Sequence, residues 1–195
     1  MKHDHGPVCG QLVPKQDLLQ RLRDESRSAH EALDQSFLPF QKNPAEHLKP
    51  FLAAQMAGLT ALSTAVRTSP DRETLGLISE MLDRLEQDCR HYGLSVPVVR
   101  HKRELHPVAL SYLVIGSRLG TEVLRRKLME SELDHVPLYF APQEYKAIWR
   151  ELCLRLGAMP AIGAEAEDIC TSVIAGFELF QEAETLTRDL TEKSL

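Results

Sequence analysis

The sequence predicts an all-α protein: a single-domain, multi-helix bundle of six or seven helices. Three observations carry that prediction. Apolar residues recur at three- and four-residue intervals almost everywhere after residue ~15. No stretch alternates apolar and polar residues as a half-buried strand does. The breaks between helical stretches are short and carry cap residues, proline or glycine. With 195 residues, 43% of them hydrophobic, the chain is long enough for one substantial core.

Each element has its own signal. The first helix is expected from about Gln16 to Asp34, with Leu18, Leu19, Leu22, Ala29 and Leu33 available for burial, and Pro39 in the connection after it. Asn43-Pro44-Ala45-Glu46 then offers a cap residue, a proline at the first helical position and a glutamate in the first turn. That helix runs to about Arg67, with Pro50 expected to kink or restart it. Ser69-Pro70 opens the next helix by the same logic, and Tyr92-Gly93 closes it.

An extended link, Ser95–Val99, leads to a helix beginning near Arg103 or Leu105 and reaching about Met129. Pro137 and Pro142 bracket a loop before a helix over about Gln143–Leu156. Gly157–Gly163 is a further break. The last helix, about Glu165–Asp189, carries Ile169, Val173, Phe177 and Phe180 along one stripe. Residues 1–14 read as a flexible tail and residues 15–195 as the helical domain.

Composition narrows the function. A net charge of -5 argues against a nucleic-acid surface, which needs clustered Lys and Arg. No run of 18 apolar residues suggests a membrane-spanning helix. The first ten residues lack the apolar centre of a signal peptide. Cys9, Cys89, Cys153 and Cys170 are scattered, which fits neither a CxxC metal pair nor a disulfide framework. A reducing, cytoplasmic setting is the expectation.

Few residues offer chemistry. His30 and Asp34 are four apart, so in a helix they share a face. The carboxylate would then hold one imidazole nitrogen and leave the other for a metal. The same spacing also makes an ordinary surface pair, and taken alone that is the commoner case. Gly116 and Gly120 lie four apart within a helix, where each glycine costs about 0.5–1 kcal/mol relative to alanine. They serve either close helix packing or close approach of a flat ligand to bare backbone. Val173, Gly176, Phe177 and Phe180 form a stripe that fits core packing, a cofactor wall, or both.

Other residues fall away. His3 and His5 lack further ligands, and His47, His91, His101, His106 and His135 have no partner at a suggestive spacing. Arg100-His-Lys-Arg103 reads as a solvated run or one that pairs with nearby acids. The carboxylates are too dispersed for a di-iron pair, and no GxGxxG, P-loop or nucleophile elbow occurs.

Together the segments resemble bacterial haem oxygenases, including the type found beside bacterial phytochromes. The resemblance runs from about Leu18 to Leu186 in order and spacing. Leu22-Arg-Asp-Glu-Ser-Arg-Ser-Ala-His30-Glu-Ala-Leu-Asp34 resembles the proximal helix. Tyr112 through Leu124 resembles the distal helix, and Phe177-Glu-Leu-Phe180-Gln-Glu the closing helix. Two positions depart from the family pattern. Thr121 replaces the second glycine of the usual pair, which would add a side chain at the edge of the distal pocket, and Ser117 stands where many relatives carry an aspartate.

The resemblance implies haem (iron protoporphyrin IX) as substrate and cofactor, with His30 binding the iron and Asp34 orienting the imidazole. Gly116 and Gly120 would bound the distal side and direct attack onto a meso carbon, while Ser117 with water supplies protons. Arg23 and Lys127 would meet the propionates, with Tyr112 as a hydrogen-bond donor. Phe177 and Phe180 would line the pocket. The implied products are biliverdin, carbon monoxide and ferrous iron. O2 is the co-substrate and a separate reductase or ferredoxin the electron donor. A phytochrome as bilin acceptor and iron recovery are both uses the resemblance allows. The alternative on the same fold is a haem-binding or haem-carrying protein without turnover. Beyond it stand a member of the wider fold superfamily with other chemistry and a non-enzymatic interaction module.

Overall fold

The computed structural model describes residues 17–131 and 135–192, so the expected tail lies outside the described residues. Seven α-helices appear among them and no strand. They are α1 (Leu18–Ser36), α2 (Leu38–Lys42), α3 (Pro44–Thr64), α4 (Arg72–His91), α5 (Pro107–Met129), α6 (Lys146–Ala158) and α7 (Ala164–Glu192). A single 3-10 turn, Leu138–Phe140, lies between α5 and α6. The all-α expectation holds.

Several boundaries differ from the sequence reading, each for a local reason. Pro39 is not in a loop; it occupies the first turn of the short α2, where its missing N–H costs nothing. Pro50 neither breaks nor restarts α3, which runs through it with Leu48, Phe51 and Leu52 buried around it. α4 starts two residues beyond Ser69-Pro70, because the Asp71 carboxylate accepts the Thr74 N–H at 2.8 Å and becomes the cap. Gly93 does take the left-handed conformation expected after α4, at φ 62°. α6 begins at Lys146, three residues later than expected.

α7 is the axis of the bundle, packed by α3, α1 and α5. α3 is buried around most of its circumference, which explains why its apolar residues show little one-sidedness. Two glycines let helices come close. A Cβ on Gly176 of α7 would sit 2.2 Å from Leu113 Cδ1 of α5, and one on Gly58 of α3 would sit 2.4 Å from the Phe180 ring. A second part of the core gathers Phe37, Phe40, Phe51, Tyr139 and Phe140, with Phe40 and Phe51 stacked at 4.0 Å between centroids.

α5 is capped by a histidine. His106 Nδ1 accepts the Val108 N–H at 3.2 Å, and Pro107 takes the first helical position. The imidazole must be neutral at Nδ1 to do this. Burial, aided by the Arg67 charge, pushes His106 below its ordinary value against the pull of Asp168 and Glu165. A lowered folded value means the unfolded chain takes up the proton first, so this contribution is present above about pH 6.5 and fades as the pH falls. We expect the wild-type chain to lose more stability than His106→Asn between pH 7 and pH 5, since asparagine caps without titrating. Thermal melts at the two pH values check this, and parallel losses would refute it.

Candidate functional site

α1 starts at the Asp17 cap, which accepts the Gln20 N–H at 2.8 Å, and buries Leu18, Leu22 and Ser26. One turn past Ser26 on that line, the helix carries His30 outward, with 56% of its side chain exposed. Its Nδ1 lies 3.2 Å from Asp34 Oδ2, the pairing expected from the spacing. The ring meets Phe177 of α7 edge-on at 5.3 Å between centroids. Nε2 has no hydrogen-bond partner among the described residues. The imidazole is therefore oriented on two sides and free at one nitrogen.

α5 has two unlike faces. Leu110, Ser111, Val114, Ile115, Arg118 and Thr121 are buried. The opposite side carries Tyr112, Gly116, Leu119, Gly120, Val123 and Lys127, and part of it is apolar yet exposed: Leu119 by 41% and Val123 by 54%. Leu113 packs on Gly176 of α7, one residue before Phe177. The same turn of α7 therefore touches α5 through Gly176 and His30 of α1 through Phe177.

The two glycines of α5 have different surroundings. A Cβ on Gly116 would lie 3.3 Å from Trp149 Cζ3 of α6, so there a side chain covers the backbone. A Cβ on Gly120 would meet nothing within 4 Å. Its helical neighbours on that face are the exposed Leu119 and Val123, so bare backbone here opens onto an apolar surface. Gly76 of α4 is equally open and also follows an exposed leucine, Leu75 at 43%. Its neighbours a turn away, however, are Arg72, Glu73, Ser79 and Glu80, whereas Gly120 has Val123 and Leu124 on the following turn.

α6 packs on both α1 and α5. Its Trp149 lies 5.5 Å from the Tyr112 ring between centroids. One turn further on, burial pushes the Cys153 thiol up, and the neighbouring Arg23 guanidinium of α1 partly offsets it. Burial also raises Tyr112, and the Arg23 charge partly offsets it. Arg23 is thus placed beside Tyr112 and makes no ion pair among the described residues. Lys127, likewise unpaired there, is exposed at the other end of the α5 face. α6 covers Tyr112 and Gly116 through Trp149, whereas Arg23, His30, Leu119, Gly120 and Val123 are exposed.

Three expected residues are placed less simply. Phe180 turns into the core over Gly58 and is 8% exposed, so of the two phenylalanines only Phe177 meets His30. Ser117 is exposed, but its hydroxyl donates to the Val114 carbonyl at 2.8 Å. Thr121 does not edge the open face, which corrects the expectation from its replacement of glycine. It is 5% exposed on the opposite side, where its hydroxyl donates to the Ser117 carbonyl at 3.0 Å.

Of the basic run beside α7, Arg103 pairs with an acid. Arg103 and Arg67 both reach Asp168, at 3.2 and 2.7 Å, and Arg100 and Lys102 line a small cavity together with Glu178 and Glu182. Sequence reasoning missed Trp149, Cys153 and Arg118. Only Arg118 left a signal, a charge on the apolar stripe of α5. The contacts of the other two join helices far apart in sequence.

No protein-family model and no curated protein matches the chain. Among solved structures, the chain is similar to haem oxygenase-1 of the cyanobacterium Synechocystis sp. PCC6803, whose structure is a complex with haem. The TM-score is 0.59 at 16% identity, covering 92% of this chain and 97% of that one. Identity that low speaks to architecture, not to activity. The element order, the packing around α7 and this likeness lead to one conclusion: the chain has the haem oxygenase fold.

Proposed function

We propose that the chain binds haem between His30 of α1 and the Gly120 face of α5 and, with O2 and electrons from a separate reductase or ferredoxin, cleaves it to biliverdin, carbon monoxide and ferrous iron. The observation that carries this reading is Gly120. Gly58, Gly176 and Gly116 each have a neighbour that a Cβ would crowd, whereas Gly120, like Gly76, has none. Of these two, only Gly120 stands between two exposed apolar side chains, Leu119 and Val123. A helix-interior glycine that packing does not need costs about 0.5–1 kcal/mol, and close approach of a flat ligand would account for it.

The donor set suits haem. His30 presents one free nitrogen while Asp34 fixes the tautomer, and Phe177 limits the tilt of the ring. Leu119 and Val123 give the macrocycle an apolar face to cover, and the backbone of Gly120 admits it closely. Arg23 and Lys127, neither in an ion pair among the described residues, would supply the cations for the propionates, and the Tyr112 phenol stands near Arg23. When bound, haem supplies the oxygen-activating chemistry itself. Ser117, beside this face, can place water once its hydroxyl turns from the Val114 carbonyl.

That same bond favours a second reading, a haem carrier without turnover, because the Ser117 proton is already engaged by the backbone. Mixing the purified chain with hemin, ascorbate and catalase in air separates the two. The enzyme reading expects the Soret band to decay and chromatography to yield biliverdin. A Soret band that forms and persists supports the carrier, and no Soret band at all overturns both. We further expect Gly120→Leu to weaken hemin binding roughly tenfold, about 1.4 kcal/mol. Titration at the Soret maximum reads this, and wild-type affinity in the variant would move the macrocycle away from α5.

The cyanobacterial likeness supports haem as ligand, since that neighbour is a haem complex. No described helix is long and apolar enough to cross a membrane. A phytochrome as bilin acceptor, a cytoplasmic setting and the division at residues 14 and 15 extend this same proposal.

A further inference from the structure

Among the described residues, one cation is buried without an ion-pair partner. Arg118 is 3% exposed, on the buried side of α5, and no carboxylate pairs with it among the described residues. Its guanidinium donates to the Tyr139 carbonyl at 3.2 Å and to the Thr121 hydroxyl at 3.4 Å. It also lies 5.1 Å from the centre of the Tyr139 ring, and its Nε has no partner. Asp88 is tied to the same residue, accepting the Tyr139 N–H at 2.8 Å, but makes no ion pair with the guanidinium. Tyr139 is held in turn by its hydroxyl, which donates to Gln55 Oε1 at 3.0 Å.

Packing is a poor account of such a group. A buried charge without an ionic partner costs stability, and an apolar side chain of similar volume is commonly neutral or better. A fixed charge in a low-dielectric interior does, however, act at a distance. Arg118 precedes Gly120 by two residues, which turns it about 200° round the helix, so it stands behind the open face across a helix about 10–12 Å wide.

We propose that Arg118 is a positioning residue for charge: it holds a positive potential behind the candidate haem face and thereby favours the reduced over the oxidised iron. This rests on the haem reading above. The electron comes from the external donor; Arg118 only biases the equilibrium, because reduction removes one positive charge from the iron. Thr121 then has a use that glycine would not serve, as it supplies the hydroxyl that receives the guanidinium. A unit charge at about 12 Å with an effective dielectric of about 20 shifts an equilibrium roughly tenfold, and Asp88 offsets part of that.

The test is a redox titration of the hemin-loaded chain with mediator dyes, reading the ferric-to-ferrous ratio from the Soret region. At a fixed potential, Arg118→Met is expected to shift the ratio roughly three- to tenfold towards ferric, while Arg118→Lys stays within about twofold of wild type. Arg118→Gln serves as the neutral variant should the methionine protein not fold. A neutral variant within twofold of wild type overturns the proposal. So does a lysine variant shifted as far as the neutral one, which would make shape rather than charge the cause. A wild-type chain that takes up no hemin overturns the haem reading and this inference with it; the variant outcomes overturn this inference alone.

Discussion

His30→Ala is expected to weaken hemin binding by roughly 100-fold or more and to abolish bilin formation. Losing even an outer partner of a metal-bound histidine typically costs about 10–100-fold, so loss of the ligand itself should cost no less. Asp34→Asn, which keeps the ring but weakens its anchor, should fall within that smaller range. The fold should survive both changes, because His30 and Asp34 are each 56% exposed and a surface substitution usually stays within about 0.5 kcal/mol. Soret titration with a circular-dichroism melt reads binding and stability separately. An alanine variant that melts normally and binds hemin like wild type would place the ligand elsewhere.

The second large effect is on stability, and it has opposite signs at two glycines. Gly58→Val puts a branched side chain where the Phe180 ring already stands 2.4–2.6 Å from the Cβ position. Phe180 is buried between α3 and α7, so it cannot swing into solvent. We expect a loss of about 2–3 kcal/mol, the upper part of the usual range for overpacking, or roughly 4–12 °C in Tm for a chain of this size. Gly120→Ala meets nothing within 4 Å and should raise stability by about 0.5–1 kcal/mol through helix propensity alone. If Gly120 is bare for the sake of a ligand, that stabilised protein should still bind hemin less tightly. Thermal melts of the two variants check the signs. A stable Gly58→Val or a destabilised Gly120→Ala would contradict the packing described.

Much of the architecture was legible because it rests on local signals. Helical period, the Asn43-Pro44 start and the left-handed Gly93 stop are properties of a few neighbouring residues. Capping chemistry shifted the boundaries: Asp71 outcompeted Ser69, and His106, with Pro107 after it, took a role that histidine seldom has. Within the site, the His30–Asp34 pair was readable since both partners lie on one helix. The division between Gly116 and Gly120 was not, because Trp149 reaches Gly116 from another helix. Phe180 and Thr121 show the same limit, since only the packed helices reveal which side of α7 or α5 faces the core.

The claim on which the rest depends is that the His30 imidazole and the bare backbone at Gly120 hold one iron macrocycle between them. Resonance Raman spectra of the hemin-loaded, reduced chain test the first half of that contact directly through the iron–histidine stretching band. The account predicts that this band is present in the wild-type chain, absent in His30→Ala, and restored when free imidazole is added to the variant. An unchanged band in His30→Ala would contradict it.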